Sequence, residues 1–322
     1  MRQISAAVAV LGLSAFALVG CAASGSASAD PGCDRVVSDS SALDLIDVSG
    51  PEGEPAATTT APVYVDETVW TDLEVGSGPA VTTRAQDVQF TTTILGGATG
   101  QTLVTSGTQI TSVETWSQYY EGIAKMLQCA TEGSRIVGAV AAEDLAPEAA
   151  QSMGLGENDS AIFVVDLQKV YLPAANGAPQ YVEGSGIPSV VLDTAGRPGI
   201  IVPEAEAPED LIVKTLKKGD GEVVDSDATV RVHYTGVLWE TGEVFDSSWE
   251  KGASAALSLD GVVPGFAQAL DGQTVGSQVL AVIPPDLGYG DQAQGTIPAG
   301  STLVFVIDIL GIDEPAAAAP TP

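Results

Sequence analysis

Histidine is almost missing from this chain: His233 is the single one in 322 residues. Any histidine-dependent mechanism must therefore run through position 233, which excludes His-rich zinc sites and Ser-His-Asp chemistry anywhere else. Positive charge is scarce as well. Twelve Lys plus Arg stand against 42 Asp plus Glu, a formal charge of −30. Such a chain lacks the phosphate-neutralising surface of a nucleic-acid binder, and no nucleic-acid partner is expected. Cysteine occurs three times and never as C-x-x-C, which argues against a metal or thiol-redox motif. Charged residues are only 17% while apolar residues are 45%, so the acidity does not signal global disorder. A length of 322 residues suffices for two domains, each able to bury a core.

The first residues read Met1-Arg2-Gln3 and then an apolar run from Ile4 to Val19 without an acid. This is the pattern of a secretory signal peptide, expected over residues 1–20. The run is short for a membrane span. It ends in Leu18-Val19-Gly20-Cys21, which resembles the bacterial lipobox, so Cys21 is expected to carry a lipid at the start of the mature chain. Ordinary secretion with cleavage near Ala22 and Ala23 is the alternative. Anionic headgroups repel so acidic a chain, so the expected place is extracytoplasmic, held at the membrane through the lipid anchor only. Cys33 and Cys129 remain. In an oxidising compartment a disulfide between them is the expectation, with two buried free thiols as the alternative.

Composition divides the rest. Residues 21–62 are rich in Ser, Ala, Gly, Pro and Thr and read as a flexible tether, although Val36 to Val48 has some apolar spacing. Residues 63–172 and 209–313 are mostly strand-like, and the Pro-rich stretch 173–208 reads as an interdomain linker on which Val190-Val191-Leu192 and Ile200-Ile201-Val202 dock. Residues 314–322 are an Ala/Pro tail without expected structure. Pro264 to Leu270, with Pro near the start and Gly272 just past the end, predicts a short helix among strands, an α+β arrangement. The two long segments repeat each other. Ala161 to Leu167 parallels Thr302 to Asp308, matching Phe163 with Phe305 and Asp166 with Asp308, and Glu121-Gly122-Ile123-Ala124 parallels Pro264-Gly265-Phe266-Ala267.

The second segment holds Val232-His233-Tyr234-Thr235-Gly236, Gly242 to Ser248 with Phe245-Asp246 inside it, and Val262-Val263-Pro264-Gly265-Phe266. Further on come Ile283 to Gly290, which includes Tyr289, and Ile297 to Phe305. In this order and spacing the series resembles the FKBP-type peptidyl-prolyl cis-trans isomerases, and the arrangement behind a lipobox looks like exported actinobacterial lipoproteins with tandem FKBP-like domains. The resemblance implies two domains, each an antiparallel sheet half-wrapped around one short helix, with an apolar pocket between sheet and helix. It implies that Tyr234, Phe245, Val263 and Phe305 line the pocket, that Phe266 is its floor, and that Val262 adds a side wall. Asp246 would sit at the rim, Tyr289 would offer its hydroxyl to a substrate carbonyl, and Ile297 would flank the mouth. The catalytic assignment falls on Tyr234, Phe245, Asp246 and Tyr289.

That chemistry needs no metal, cofactor or nucleophile. Rotation about an X-Pro bond faces a barrier of about 18 to 20 kcal/mol because twisting breaks amide conjugation. A dry aromatic pocket favours the twisted, less polar amide over the planar, well-hydrated one. The implied partners are proline-containing polypeptides and macrolides of the tacrolimus type, and the implied role is folding of extracytoplasmic proteins. A non-catalytic chaperone-like binding lipoprotein is the alternative. Three positions depart from the family pattern: the floor, commonly Trp, is Phe266, an aromatic wall position is Ala255, and the arginine that supports the rim aspartate is Lys251. In the first segment Tyr234-Thr235-Gly236 corresponds to Thr91-Thr92-Thr93, and Phe245-Asp246 to Val104-Thr105, give or take a one-residue gap, and no tyrosine stands near Leu145 in place of Tyr289. That copy reads as degenerate. His233 alternates with Val232 and Tyr234 and is expected on the solvent side of its strand.

Overall fold

The structure is a computed structural model and describes residues 33–60, 62–182 and 184–313. The expected signal peptide, Cys21 and the tail 314–322 lie outside the described residues. In the first unit the strands are Ile46–Ser49 (β1), Ala56–Thr59 (β2), Val69–Glu74 (β3), Asp87–Gly96 (β4) and Thr102–Ser112 (β5). The helices Val113–Ser117 (α1) and Glu121–Leu127 (α2) follow, then Ser134–Val140 (β6), helix Pro147–Ser152 (α3) and Ala161–Val170 (β7). The second unit adds Ala178–Pro179 (β8), Ser189–Leu192 (β9), Pro198–Ile201 (β10), Ile212–Lys218 (β11), Thr229–Leu238 (β12) and Val244–Ser247 (β13). It closes with helix Ser248–Lys251 (α4), Ala255–Ser258 (β14), helix Pro264–Leu270 (α5), Gln278–Ile283 (β15) and Leu303–Asp313 (β16).

Both units are α+β, and both main sheets are antiparallel. The first runs β3-β6-β7-β4-β5; the second runs β13-β12-β16-β15-β11-β8, with β14 beside β12 next to β13. Leaving β8 aside, the second repeats the first, with β11, β15, β16 and β12 in the places of β3, β6, β7 and β4, and with β13 and β14 together replacing β5. The central strands β7 and β16 are almost continuously apolar, as strands covered on both faces must be. On one face lies the paired helix, α2 or α5. Its second residue is glycine in both units, because a Cβ there would come 2.5 Å from Val140 Cγ1 at Gly122 and 2.4 Å from Ile283 Cγ2 at Gly265. Short helices α1, α3 and α4 add to the single helix per unit expected from the sequence.

The opposite faces are covered by segments whose composition read as loose. The expectation of a flexible tether fails for residues 46–59: β1 and β2 form a hairpin, and Leu45, Ile46, Val48 and Ala57 pack on Val137, Ala139, Ile162 and Val164. Tertiary hydrogen bonds override the loop-like composition. Arg135 donates to the carbonyls of Gly50 and Pro51, and Gly53 N–H donates to Asp166 at 2.7 Å. Arg35 binds Asp72 and the carbonyls of Met126 and Gln128, which fixes the segment after Cys33. Within 173–208 the β9–β10 hairpin sets Val190 and Ile200 against Leu280, Val304 and Val306, and the chain then passes Trp239, whose indole donates to Ala205 O.

His233 also departs from the expectation: it is 7% exposed, not solvent-side. Helix α4 folds back over this face of β12, stacking Trp249 on the imidazole at 4.1 Å, with Ser248 Oγ 3.0 Å from Nδ1. Burial pushes the imidazole pKa down to about 4, against an opposing pull from Asp87. Between pH 4 and the ordinary value near 6.5 the unfolded chain binds a proton that the folded chain refuses, so stability falls as pH falls through this window.

Two measurements test this architecture. Urea titrations from pH 7 to pH 4 should show the wild type losing up to about 3 kcal/mol more than His233→Gln, and parallel curves would refute a buried neutral imidazole. Cys33 and Cys129 form a disulfide spanning a sequence separation of 96. Reduction should lower the first unit's stability by as much as about 4 to 5 kcal/mol on the chain-entropy account, and an unchanged urea midpoint with dithiothreitol would contradict it.

Candidate active site

The site forms where β12, β13, β16 and α5 converge. Gly236 lies on β12 opposite Phe305 of β16 on one side and Asp246 of β13 on the other. A Cβ at Gly236 would come 2.5 Å from Phe245 Cζ and 2.8 Å from Phe305 Cε1, so only glycine lets the two rings meet there. They meet edge to face, centroids 5.4 Å apart at 86°. Phe266 stands on Phe305 in the same manner at 5.2 Å and 89°, and Tyr234 approaches both rings at 6.4 and 6.1 Å. Edge-to-face pairs are the favoured arrangement for aromatic quadrupoles and lock the ring planes.

Helix α5 supplies the floor. Val263 caps it, Pro264 opens it with a preset φ, and Phe266 faces the sheet at 3% exposure. Val262 and Val263 pack on this cluster, and Ile297 joins it at 6% exposure. Ile297 sits on a tight turn closed by paired main-chain bonds with Gln294. The structure thus brings Tyr234, Phe245, Val262, Val263, Phe266, Ile297 and Phe305 into one apolar cluster. Tyr289 remains 39% exposed at the margin, near enough to Tyr234 to bear on its ionisation.

One carboxylate sits among these rings. Tyr234 donates its hydroxyl to Asp246 Oδ2 at 2.7 Å, and Lys251 Nζ lies 2.5 Å from Asp246 Oδ1. Burial alone would raise the Asp246 pKa; the bonds from Lys251 and Tyr234 outweigh it and hold the carboxyl below its ordinary value. The Tyr234 hydroxyl moves the opposite way, pushed up by burial and by the bond to Asp246. The rim therefore carries an oriented anion and a protonated phenol across the neutral range. Lys251 takes the supporting position, and Ala255 packs against the cluster without adding a ring.

Two contributors escaped the sequence reading. Gly236 was legible as a glycine inside a strand, a sign of close backbone approach. Ser248 was not: its Oγ accepts the Tyr234 N–H at 2.8 Å while touching His233, so it pins the strand behind the pocket.

The first unit shows the same frame with the opening closed. Phe163 pairs with Ile94 as Phe305 pairs with Gly236, and Val165 pairs with Thr92 as Ile307 pairs with Tyr234. Thr92-Thr93-Ile94 thus matches Tyr234-Thr235-Gly236, one residue on from the match made by sequence. The second match moves as well: Val104 stands in register with Asp246 and the bulge residue Leu103 with Phe245. Ahead of α2, Tyr120 occupies the place of Val263 and lays its ring on Phe163 at 5.4 Å, with Trp116 beside it at 5.9 Å. The space over the central strand is taken by the chain's own aromatics.

The family model for FKBP-type peptidyl-prolyl cis-trans isomerases matches residues 220–310. A "Probable FK506-binding protein" of Corynebacterium glutamicum is 40% identical over 114 residues, 35% of this chain and 97% of that one. An "FK506-binding protein" of Streptomyces anulatus is 39% identical over 120 residues, 36% of this chain and 97% of that one. Among solved structures, FkpA from Escherichia coli is 32% identical, covers 38% of this chain and 51% of its own, and has a TM-score of 0.31. The similarity to the two curated relatives, each matched over nearly its whole length, and the family match across the unit that holds the aromatic site place this chain among the FKBP-type peptidyl-prolyl cis-trans isomerases.

Proposed function

We propose that isomerisation takes place in residues 209–313 alone, at the pocket walled by Phe245, Phe305, Tyr234 and Val263 and floored by Phe266. The observation that carries this is the bare backbone at Gly236, which lets Phe245 and Phe305 meet over β12 as pocket walls, whereas Ile94 puts a side chain at the matching position of the first unit. A prolyl ring entering between the aromatic edges leaves water behind, and its preceding carbonyl turns out of conjugation in a site that offers the planar amide no hydration. Asp246 faces the electropositive side of that turning carbonyl, and the Tyr289 hydroxyl donates to a flanking carbonyl and holds the peptide. No proton is transferred. A tacrolimus-type macrolide, named in the relatives from Corynebacterium and Streptomyces, would compete for the same pocket.

The first unit serves as a non-isomerising copy. The lipobox-like Leu18 to Cys21 supports attachment of the mature chain through a lipid on Cys21, on the outer side of the membrane, where the isomerase would act on extracytoplasmic proteins.

In a proline-peptide assay on the full mature chain, Phe245→Ala should lower kcat/KM by more than about tenfold, a loss of about 1.4 kcal/mol of transition-state stabilisation. Asp246→Ala and Tyr289→Phe should lose less, and Tyr120→Ala should change nothing. The rate should stay level from pH 6 to pH 8, since His233 and Asp246 hold one protonation state throughout. Wild-type turnover in a Phe245→Ala, Asp246→Ala double variant would place the chemistry elsewhere. For the anchor, Cys21→Ser should move the protein from the membrane to the soluble fraction, and unchanged membrane association would end that proposal.

A further inference from the structure

In the first unit β5 is the outer strand of its sheet, hydrogen-bonded to β4 on one side and to no strand on the other among the described residues. Edge strands of folded proteins are commonly guarded by charge, proline or a covering segment. This one has no such guard in its sequence. From Val88 to Val113 there is no charged residue and no proline, in a chain whose formal charge is −30. Threonine dominates the stretch, a residue that favours extended backbone.

Over the face of β4 and β5 that adjoins this edge lies a cleft of about 620 Å³, lined by Thr91 and Thr93 from β4, by Thr102, Thr105 and Thr108 from β5, and walled by the turn of the β1–β2 hairpin. The space over Gly107 is open, since a Cβ at this position would meet nothing within 4 Å. Register explains the opening: between the Phe90–Gln109 and Thr92–Ser106 pairs, β5 has Gly107 and Thr108 where β4 has only Thr91. Thr91 is 2% exposed, and its Oγ1 has no hydrogen-bond partner among the described residues, in contrast to Thr93, which donates to Pro55 O. A buried hydroxyl without a partner costs on the order of 1 to 3 kcal/mol, so the floor of the cleft is incomplete as it stands.

We propose that β5 and this cleft bind an extended, neutral-to-basic stretch of unfolded polypeptide by strand addition. Main-chain bonds to the free edge would give affinity without demanding a sequence, and the threonine hydroxyls would receive alternate side chains. Charge selects the occupant. Among the described residues Glu54 is the only ionisable one lining the cleft, and a second copy would bring another −30 with it, whereas a neutral or basic segment meets no such repulsion. The unit that lost its prolyl slot thereby gains a separate means of holding a client.

The probe is a fluorescein-labelled peptide of alternating Thr and Val flanked by lysines, titrated into the full mature chain at about 0.5 M salt, where long-range charge effects are screened. Saturable anisotropy is expected, with hydrogen exchange slowed at least tenfold over Thr102–Ser112. The same peptide N-methylated at alternate residues should not bind. The variant Thr105→Lys, Thr108→Lys, both exposed positions, should weaken binding more than tenfold and leave isomerase turnover on a short proline peptide unchanged. Binding that survives N-methylation or the double lysine variant would overturn the proposal. So would no saturation at millimolar peptide, protection on another strand, or a wild-type dimer in sedimentation that the lysine variant dissolves.

Discussion

Two phenyl rings can meet over β12 only where the strand has no side chain, and that constraint at Gly236 organises everything around the pocket. Phe245 reaches the slot because β13 is bulged there, the register shifting between Gly236 and Val237. The bulge turns the next residue, Asp246, toward Tyr234 and Lys251, so one irregularity places a ring in the pocket and an anion at its rim. Phe305 is fixed from beneath by Phe266, whose helix approaches the sheet only because Gly265 clears Ile283. The first unit keeps the helix glycine and the central phenylalanine but places Ile94 in the slot. Frame and opening are thus separable: packing of helix on sheet survives the loss of the pocket.

A second constraint joins the repeats. Arg231 on β12 forms a two-pronged pair with Asp313 of its own unit at 3.0 and 2.9 Å, and reaches Asp87 of the first unit at 2.9 Å. Tyr171 lies under the guanidinium at 4.8 Å, in the space that Gly311 leaves bare. Asp87 also accepts from Ser254, and Lys169 donates to the carbonyl of Ile312. Desolvating such a guanidinium costs much of what the pairing returns, so the cluster contributes definition of the joint more than net stability. Because Asp87 begins β4 and Arg231 lies near the start of β12, in its stretch beside β14, equivalent strands of the two copies meet at this junction.

Where the sequence was informative, the signal was local. Helix α5 runs from Pro264 to Leu270, with Gly272 beyond it in the left-handed region at φ 72°, and β16 is the run, apolar but for Asp308 up to Ile312, that a central strand requires. The pocket residues came from ordered motifs, and the α+β class followed from one helix among strands. The failures share a different cause. The β1–β2 hairpin has a Gly-, Pro- and Thr-rich sequence and is ordered by Arg135 and Asp166, far off in the chain. Period-two alternation placed His233 on the face away from the pocket, but could not show that α4 returns to cover that face. Bulges shifted the copy-to-copy match by one residue, which alternation tolerates only by exchanging faces.

The Cys33–Cys129 bridge has a mechanical meaning. Tension entering from the chain before Cys33 does not have to travel through β1, β2 and the sheet strands β3 to β5, because the covalent shortcut delivers it directly to Cys129, at the end of α2 and just before β6. Everything inside the loop is left slack. The hairpin that covers the first sheet and the free edge at β5 therefore keep their shape under a pull, and the load passes instead through the bridge to β6 and β7 and onward toward the junction at Arg231.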